Sequence, residues 1–582
     1  MKTFEKVAPI LKRNWLKIII GLILIIVVDL LQLTIPKIIQ RSVDIMQSDN
    51  VVHSALFKPA LMIFLLAISI AFIRFLWRIL LIGNAWVIDR DLRQMYYEHL
   101  LLLSQNYFNK AKTGDLMAYA TNDLNAVRML MGFGLIILVD IIIFSVGAIF
   151  FMTNINLRLT LLAVTPMPLL SIIIIIFGKK IHKHFGRVQK TFASLSGKVQ
   201  ESISGIRVVK AFVQEEFELE KMSDSAYKYV KSNIALVRIF GIFHPFLFLI
   251  ISVSMGIVLV FGGQGVLLNE ISMGEFIAFF SYLGMFVWPA IAIGWLVNLY
   301  QRGTASLKRM NSIFEVMPEI TDDAADDKIT VLKGNIEVKD LTYGYVETTV
   351  LENISFKIKT GETLAVVGRT GCGKSTLIDL LTRVYNPPKN SIFADGNEIY
   401  KIPLNTLHTD IVMVPQDIFL FSDTIAGNIG LGNPDAEREI LEDVARRAQV
   451  HEEISEFEDG FDTVIGERGV TLSGGQKQRL AIARALLTNP NVLILDDALS
   501  AVDTKTEKKI LEHLTDIRKD KTTIIISHRI SSIQHADKII VIDNKTITET
   551  GSHKELLKQN GIYRDLYEKQ QIKERLEENT SD

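Results

Sequence analysis

The sequence predicts two unlike parts in one chain: an all-α membrane domain of six spanning helices, followed by a soluble α/β domain. Three observations carry this. Apolar runs crowd the chain before Arg302, each near or above the roughly 20 residues that cross about 30 Å of hydrocarbon. From Asn335 onward short β-branched strands separated by turns alternate with charged residues, the pattern of a soluble fold. The buried-strand sequence 363–367 then runs directly into a glycine-rich loop at 368–376 and on into apolar helical sequence. A chain of 582 residues with positive mean hydropathy has room for several domains and does not read as an ordinary soluble enzyme.

The six predicted spans cover residues 15–33, 56–81, 129–152, 157–178, 239–266 and 277–300. The first follows a basic start (Lys2, Lys6, Lys12, Arg13) like that of a signal peptide, but its apolar part is too long and no small-residue cleavage site follows. It reads as an uncleaved first helix. The outer loops 42–54, 153–156 and 262–270 contain no Lys or Arg, whereas Lys179, Lys180, Lys183, Arg187 and Lys190 cluster just beyond the fourth span. This asymmetry puts both termini and the soluble domain in the cytoplasm of a cell membrane. The inner connections 83–128 and 179–238 keep helical apolar spacing with few breakers, so they are expected to continue as cytoplasmic helices. Within them, segments 108–116 and 201–212 hold Gly114 and Gly205, where a helix could turn and meet the soluble domain.

Pro166 and Pro168 should kink the fourth span. Asp29 and Asp140 place carboxylates in apolar helices, where an unpaired charge is costly, so they must face protein or water. They are candidates for substrate or proton contact, or for structural carboxylates that are each paired within the bundle or simply protonated. Arg74 and Arg78 are expected to snorkel toward the interface.

Composition excludes other classes. Lys plus Arg (63) balance Asp plus Glu (64), and no basic patch with interleaved aromatics is present, so nucleic acid is not an expected partner. The single cysteine, Cys372, excludes an intramolecular disulfide. His182 and His184 diverge on a helix and belong to a basic solvated segment. The expected boundaries are a cytoplasmic N-terminus at 1–14, the membrane domain at 15–303, a linker at 304–334 containing the acidic stretch 319–328, the soluble domain at 335–570 and a polar tail at 571–582.

The loop Gly368, Arg369, Thr370, Gly371, Cys372, Gly373, Lys374, Ser375, Thr376 is a full phosphate-binding loop in its strand–loop–helix setting. Glycines let backbone N–H groups curl around phosphate oxygens, Lys374 neutralises β/γ charge and the Ser375 hydroxyl can ligate magnesium. A second apolar strand, 492–496, ends in Asp496, placed to hold magnesium, and Asp497, placed near an attacking water.

Between them lies Leu472, Ser473, Gly474, Gly475, Gln476, which resembles the signature of ATP-binding-cassette (ABC) proteins. The other motifs fall in that family's order. Tyr345 resembles the aromatic that stacks on adenine, and Gln416 the glutamine-loop residue, implied to reach magnesium and the catalytic centre. Residues 466–469 resemble the exporter-specific loop, 500–503 the D-loop, and His528 the switch histidine. Six spans fused ahead of the cassette resemble the exporters of the family, as do the two inner-loop segments.

The resemblance implies an exporter domain, a P-loop α/β nucleotide-binding domain with a helical subdomain, and ATP and Mg2+ as cofactors. It further implies pairing with a second half-transporter and outward movement of amphipathic small molecules or lipids, with membrane lipid as surroundings. In the family dimer a signature meets the γ-phosphate bound by the other motor. One residue departs from the pattern: Asp497 stands where the family usually has glutamate. That predicts a heterodimer in which this chain's own site turns over slowly while its intact signature completes a site on the partner; the alternative is a homodimer in which aspartate serves as a weaker base. The competing reading is an ATP-gated channel or regulatory membrane protein, which ATP-dependent conductance without vectorial transport would reveal.

Overall fold

A computed structural model describes residues 6–47, 56–345, 348–466 and 472–580. Its contacts divide the chain into two units, Met1–Leu101 with Lys112–Val316, and Leu102–Ala111 with Met317–Asp582.

The first unit is helical. Among the described residues five helices are long and apolar enough to cross a membrane: Trp15–Met46, Phe57–Leu102, Thr113–Ile155, Glu215–Leu267 and Met273–Phe314. The fourth expected span is not continuous. It is split into Leu157–Val164 and Met167–Ser204, the break falling at Thr165 and Pro166. The physical reason is the expected one: Pro166 and Pro168 remove two backbone donors within one turn. Asn156 opens the first piece by accepting from the Leu159 N–H at 2.9 Å.

The bilayer as solvent explains the burial pattern. Phe64, Phe72, Val146 and Trp295 are exposed, while Leu33, Ala148, Met152, Phe279 and Tyr282 form a closed interior. In hydrocarbon an apolar side chain gains little by hiding, so close packing and paired polar groups hold the helices together. Tyr282 supplies one such pair, its hydroxyl donating to the Leu33 carbonyl at 3.0 Å.

Several helices run far beyond the apolar stretch, as the spacing of the inner connections predicts. Gly205 is the pivot of the second inner turn, ending Met167–Ser204 and opening the short helix Ile206–Ala211. Gly114 is not the pivot of the first. It lies inside helix Thr113–Ala118, and the chain turns instead at Ala111 and Lys112, both extended.

The second unit holds two sheets. Strands β1 (Ile336–Tyr345), β2 (Thr348–Ile358), β4 (Ile392–Ala394) and β5 (Asn397–Glu398) form one sheet in the order β2-β1-β4-β5. Strands β3 (Thr363–Gly368), β6 (Ile411–Val414), β7 (Val492–Asp496), β8 (Thr522–Ile526), β9 (Lys538–Asp543) and β10 (Thr546–Gly551) form the other, in the order β10-β9-β3-β8-β7-β6. β3, β6, β7, β8 and β9 pair in parallel. β7 and β8 are buried at every position, as a sheet covered on both faces requires. Helices Ile425–Gly430, Arg438–Arg447 and Gly474–Leu487 pack together as a helical layer on the same core.

Candidate nucleotide site

In parallel sheets chemistry gathers outside the carboxyl ends of the strands, and register brings three of these ends together. Val366 of β3 and Asp496 of β7 both stand opposite Ile526 of β8. The phosphate loop, the Asp496–Asp497 pair and His528 therefore leave the sheet at one edge.

The loop glycines are needed for different reasons. Gly371 and Gly373 have φ of +83° and +100°, in the left-handed region. A Cβ on Gly368 would lie 2.3 Å from the Ile542 carbonyl oxygen. Gly373 leads into helix Lys374–Leu381. Lys374 is buried, its ammonium donating to the Gly368 and Arg369 carbonyls at 3.0 Å each.

Ser375 hydrogen-bonds Asp496, bringing together two of the three expected magnesium ligands. Burial pushes the Asp496 carboxyl up, and the Asp497 charge adds to it, while Ser375, Lys374 and His528 pull it back. Burial also lifts Asp379, one turn into the helix, to about 6, with the Asp496 charge assisting. Hard oxygen donors and surplus negative charge beside a phosphate loop fit a magnesium ion shared with a nucleotide. Gln416 is exposed two residues past the end of β6, and His528 is exposed after β8.

Asp497 has φ +48°, and its N–H donates to the Ile526 carbonyl at 2.9 Å. This backbone is fixed between β7 and β8. Tyr345 donates from its hydroxyl to Thr376 Oγ1 at 3.3 Å, and its ring meets Tyr343 and Tyr385 edge to face at 5.5 and 5.4 Å. Tyr385 was not legible as part of this aromatic group. Its hydroxyl accepts from Asn109 at 2.7 Å, on the short helix Gln105–Lys110 that belongs by contact to this unit.

Ser473 and Gln476 form a capping box at the start of helix Gly474–Leu487, with bonds of 2.9 and 3.2 Å. The N-terminal end of this helix presents the partial positive charge that suits a phosphate. Of the exporter-specific loop, Gly466 is described and 467–469 lie outside the described residues.

Two family models match the chain, the ABC transporter transmembrane region over residues 18–290 and the ABC transporter model over 351–500. A probable multidrug resistance ABC transporter ATP-binding/permease protein, YheI of Bacillus subtilis, is 38% identical over 98% of this chain and 97% of its own length. The chain belongs to the ABC transporter family. The multidrug resistance-like ATP-binding protein MdlA of Escherichia coli is 35% identical over 99% of this chain and 98% of its own length. An ATP-dependent lipid A-core flippase of Syntrophus aciditrophicus is 35% identical over 82% of this chain and 80% of its own length. A bacterial Atm1-family ABC exporter with ATP bound superimposes with a TM-score of 0.80 at 26% identity, over 96% of this chain and 99% of that one.

This ABC protein is thus a multi-pass membrane transport ATPase of the exporter type, as its ordered motifs imply.

Its membrane unit carries a second polar constellation. Asp29 is buried beside Asp140 on another helix, with the Arg74 charge near both. Arg74 also lines a cavity of about 320 Å³ with Gln32, Ile35, Ile70 and Met285. Arg78 is exposed, 5.7 Å from the Trp77 ring centroid.

Proposed function

We propose that this chain is one half of a heterodimeric exporter that moves amphipathic small molecules or lipids outward, and that its own ATP site binds Mg-ATP but hydrolyses it slowly. The observation that carries the reading is Asp497. Its side chain is one methylene shorter than glutamate, and its backbone is held by the bond to Ile526, so the carboxylate cannot advance on the water. Lost positioning of this kind lowers a rate by about 100-fold. Lys374 would face the β/γ-phosphates, Tyr345 the adenine, and Ser375, Gln416 and Asp496 the magnesium. The ion, when bound, neutralises phosphate charge. His528 and Asp497 remain to orient the γ-phosphate and the water. Residues Gly368 to Thr376 cradle the chain's own nucleotide, whereas Ser473, Gly474, Gly475 and Gln476 serve the nucleotide of the partner.

Two features support a partner chain. The capping box leaves the signature helix start formed and outward-facing, and exposed Ile203, Val208 and Phe212 at the second inner turn offer apolar surface for another subunit. The names borne by the relatives support a multidrug or lipid cargo. The basic inner loops support a cytoplasmic motor and termini.

The test is to purify the chain alone and with its co-assembling chain and to measure ATP hydrolysis. The pair should hydrolyse far faster, and Asp497→Glu should raise the rate at this chain's own site. Equal rates for lone chain and pair would overturn the asymmetric mechanism.

A further inference from the structure

Two side chains outside the recognised motifs converge on the loop that follows Asp497. Gln478, buried within helix Gly474–Leu487, donates from Nε2 to Ser500 Oγ at 2.9 Å and accepts from the Ala501 N–H at 2.8 Å through Oε1. The same helix closes on that loop at its start, where a Cβ on Gly475 would lie 3.0 Å from the Ala501 carbonyl oxygen. From the other side, Arg529 donates from Nη2 to the Ser500 carbonyl at 2.7 Å and from Nη1 to the Val502 carbonyl at 2.9 Å. Its guanidinium is aimed by Glu507, which accepts from Nη1 at 2.6 Å. Glu507 is itself buried and held by the hydroxyls of Ser531 and Ser532.

The consequence is a mechanical link. Residues 500–502 can shift only if the bonds from Gln478 or from Arg529 break. Arg529 directly follows His528, and Gln478 lies one turn beyond the first residues of the signature helix. The signature helix start, the backbone leaving Asp497 and the segment carrying His528 are therefore joined through residues 500–502. The arrangement depends on bond geometry as well as charge: only a forked guanidinium reaches two carbonyls and a carboxylate in one plane.

We propose that Gln478 and Arg529 are positioning residues for nucleotide turnover, which hold residues 500–502 so that the signature helix start and His528 keep one fixed relation. This rests on the reading of the chain as a transport ATPase. Both residues lie outside the set assigned to the nucleotide and magnesium, so their loss should act on kcat more than on KM.

The variants Arg529→Lys and Gln478→Glu test this in the full-length chain assembled with its partner. Lysine keeps the charge facing Glu507 but cannot fork to Ser500 and Val502; glutamate keeps the acceptor for Ala501 but loses the amide donor. Each variant should lower kcat for ATP by about tenfold or more with KM and photoreactive-ATP labelling unchanged. The double variant should lose less than the product of the single losses, because both act on one loop. Unchanged kcat in both variants overturns the proposal, as does a loss that falls only on KM or tracks a lowered melting temperature. If Arg529→Lys fails to assemble, Gln478→Glu decides alone. Absence of hydrolysis in the unsubstituted pair would instead overturn the ATPase reading itself.

Discussion

The motor and the membrane unit place their chemistry in opposite ways. In the motor, functional groups sit in short contiguous motifs, because a phosphate is gripped by successive backbone amides and by residues at the ends of adjacent strands. In the membrane unit the polar constellation is assembled from Asp29, Arg74 and Asp140 on three separate helices, and no local motif announces it. Where backbone geometry makes the site, sequence spacing reveals it. Where packing makes the site, sequence shows only isolated residues that ought to be costly.

The largest effect that would break this contrast is at Lys374. Its ammonium is the cation of a local motif, satisfied here by the loop's own carbonyls. Lys374→Ala should weaken labelling of this chain by a photoreactive ATP analogue about 10- to 100-fold, as loss of a charged hydrogen-bond partner implies. Substrate binding to the membrane unit without nucleotide should not change. Unaltered labelling would mean that the motif does not make the site.

A smaller and more selective effect is expected at Asp140. Asp140→Asn keeps the shape and an amide able to hydrogen-bond Asp29 but removes one ionisable group from the pair. The range of transported compounds or the pH dependence of transport should change by more than basal ATP hydrolysis does. Transport measured across a compound panel and several pH values checks this. A variant altered only in expression would make the acids structural, and the membrane unit would then have no site made by packing.

The limits of reading follow the same division. The strand–loop–helix setting of residues 363–381, the apolar strand ending in Asp496 and the break near Pro166 were legible, because each depends on residues adjacent in the chain. Hidden were the contacts of Arg529 and Gln478: an arginine after His528 and a glutamine inside an apolar helix look unremarkable until Ser500 and Ala501 are folded against them. Tyr385 was hidden likewise, since its link to Asn109 joins residues far apart in sequence. The neighbourhood of Arg74 was hidden too, because only the helix packing sets its charge near Asp29 and Asp140. Gly114 was misjudged because the turn beside it is made by extended Ala111 and Lys112 and needs no positive φ.

The smallest expected effect shows that packing also makes chemistry inside the motor. His553 Nδ1 lies 2.7 Å from the hydroxyl of fully buried Tyr563 at the start of the last helix. Burial pushes the His553 pKa below its usual range, with His535 and Lys554 adding to the shift. A base whose folded pKa is depressed supports the fold while neutral, above the unfolded value near 6.5, and that support is lost as pH falls through the folded value. Lowering the medium from about pH 7.5 to about pH 5.5 spans the ordinary histidine range. Amide exchange in helix Ile562–Thr580, corrected for intrinsic rates, should then rise a few-fold and no more, because His553 is partly exposed and its interactions are screened. The Glu549 carboxylate, which accepts from the backbone N–H groups of Ile562 and Tyr563, should hold the helix start throughout. His553→Gln should remove the pH dependence while leaving protection at the higher pH in place. An unchanged acid response in that variant would assign the effect to carboxylates elsewhere and confine the motor's packing-made chemistry to the loop after Asp497.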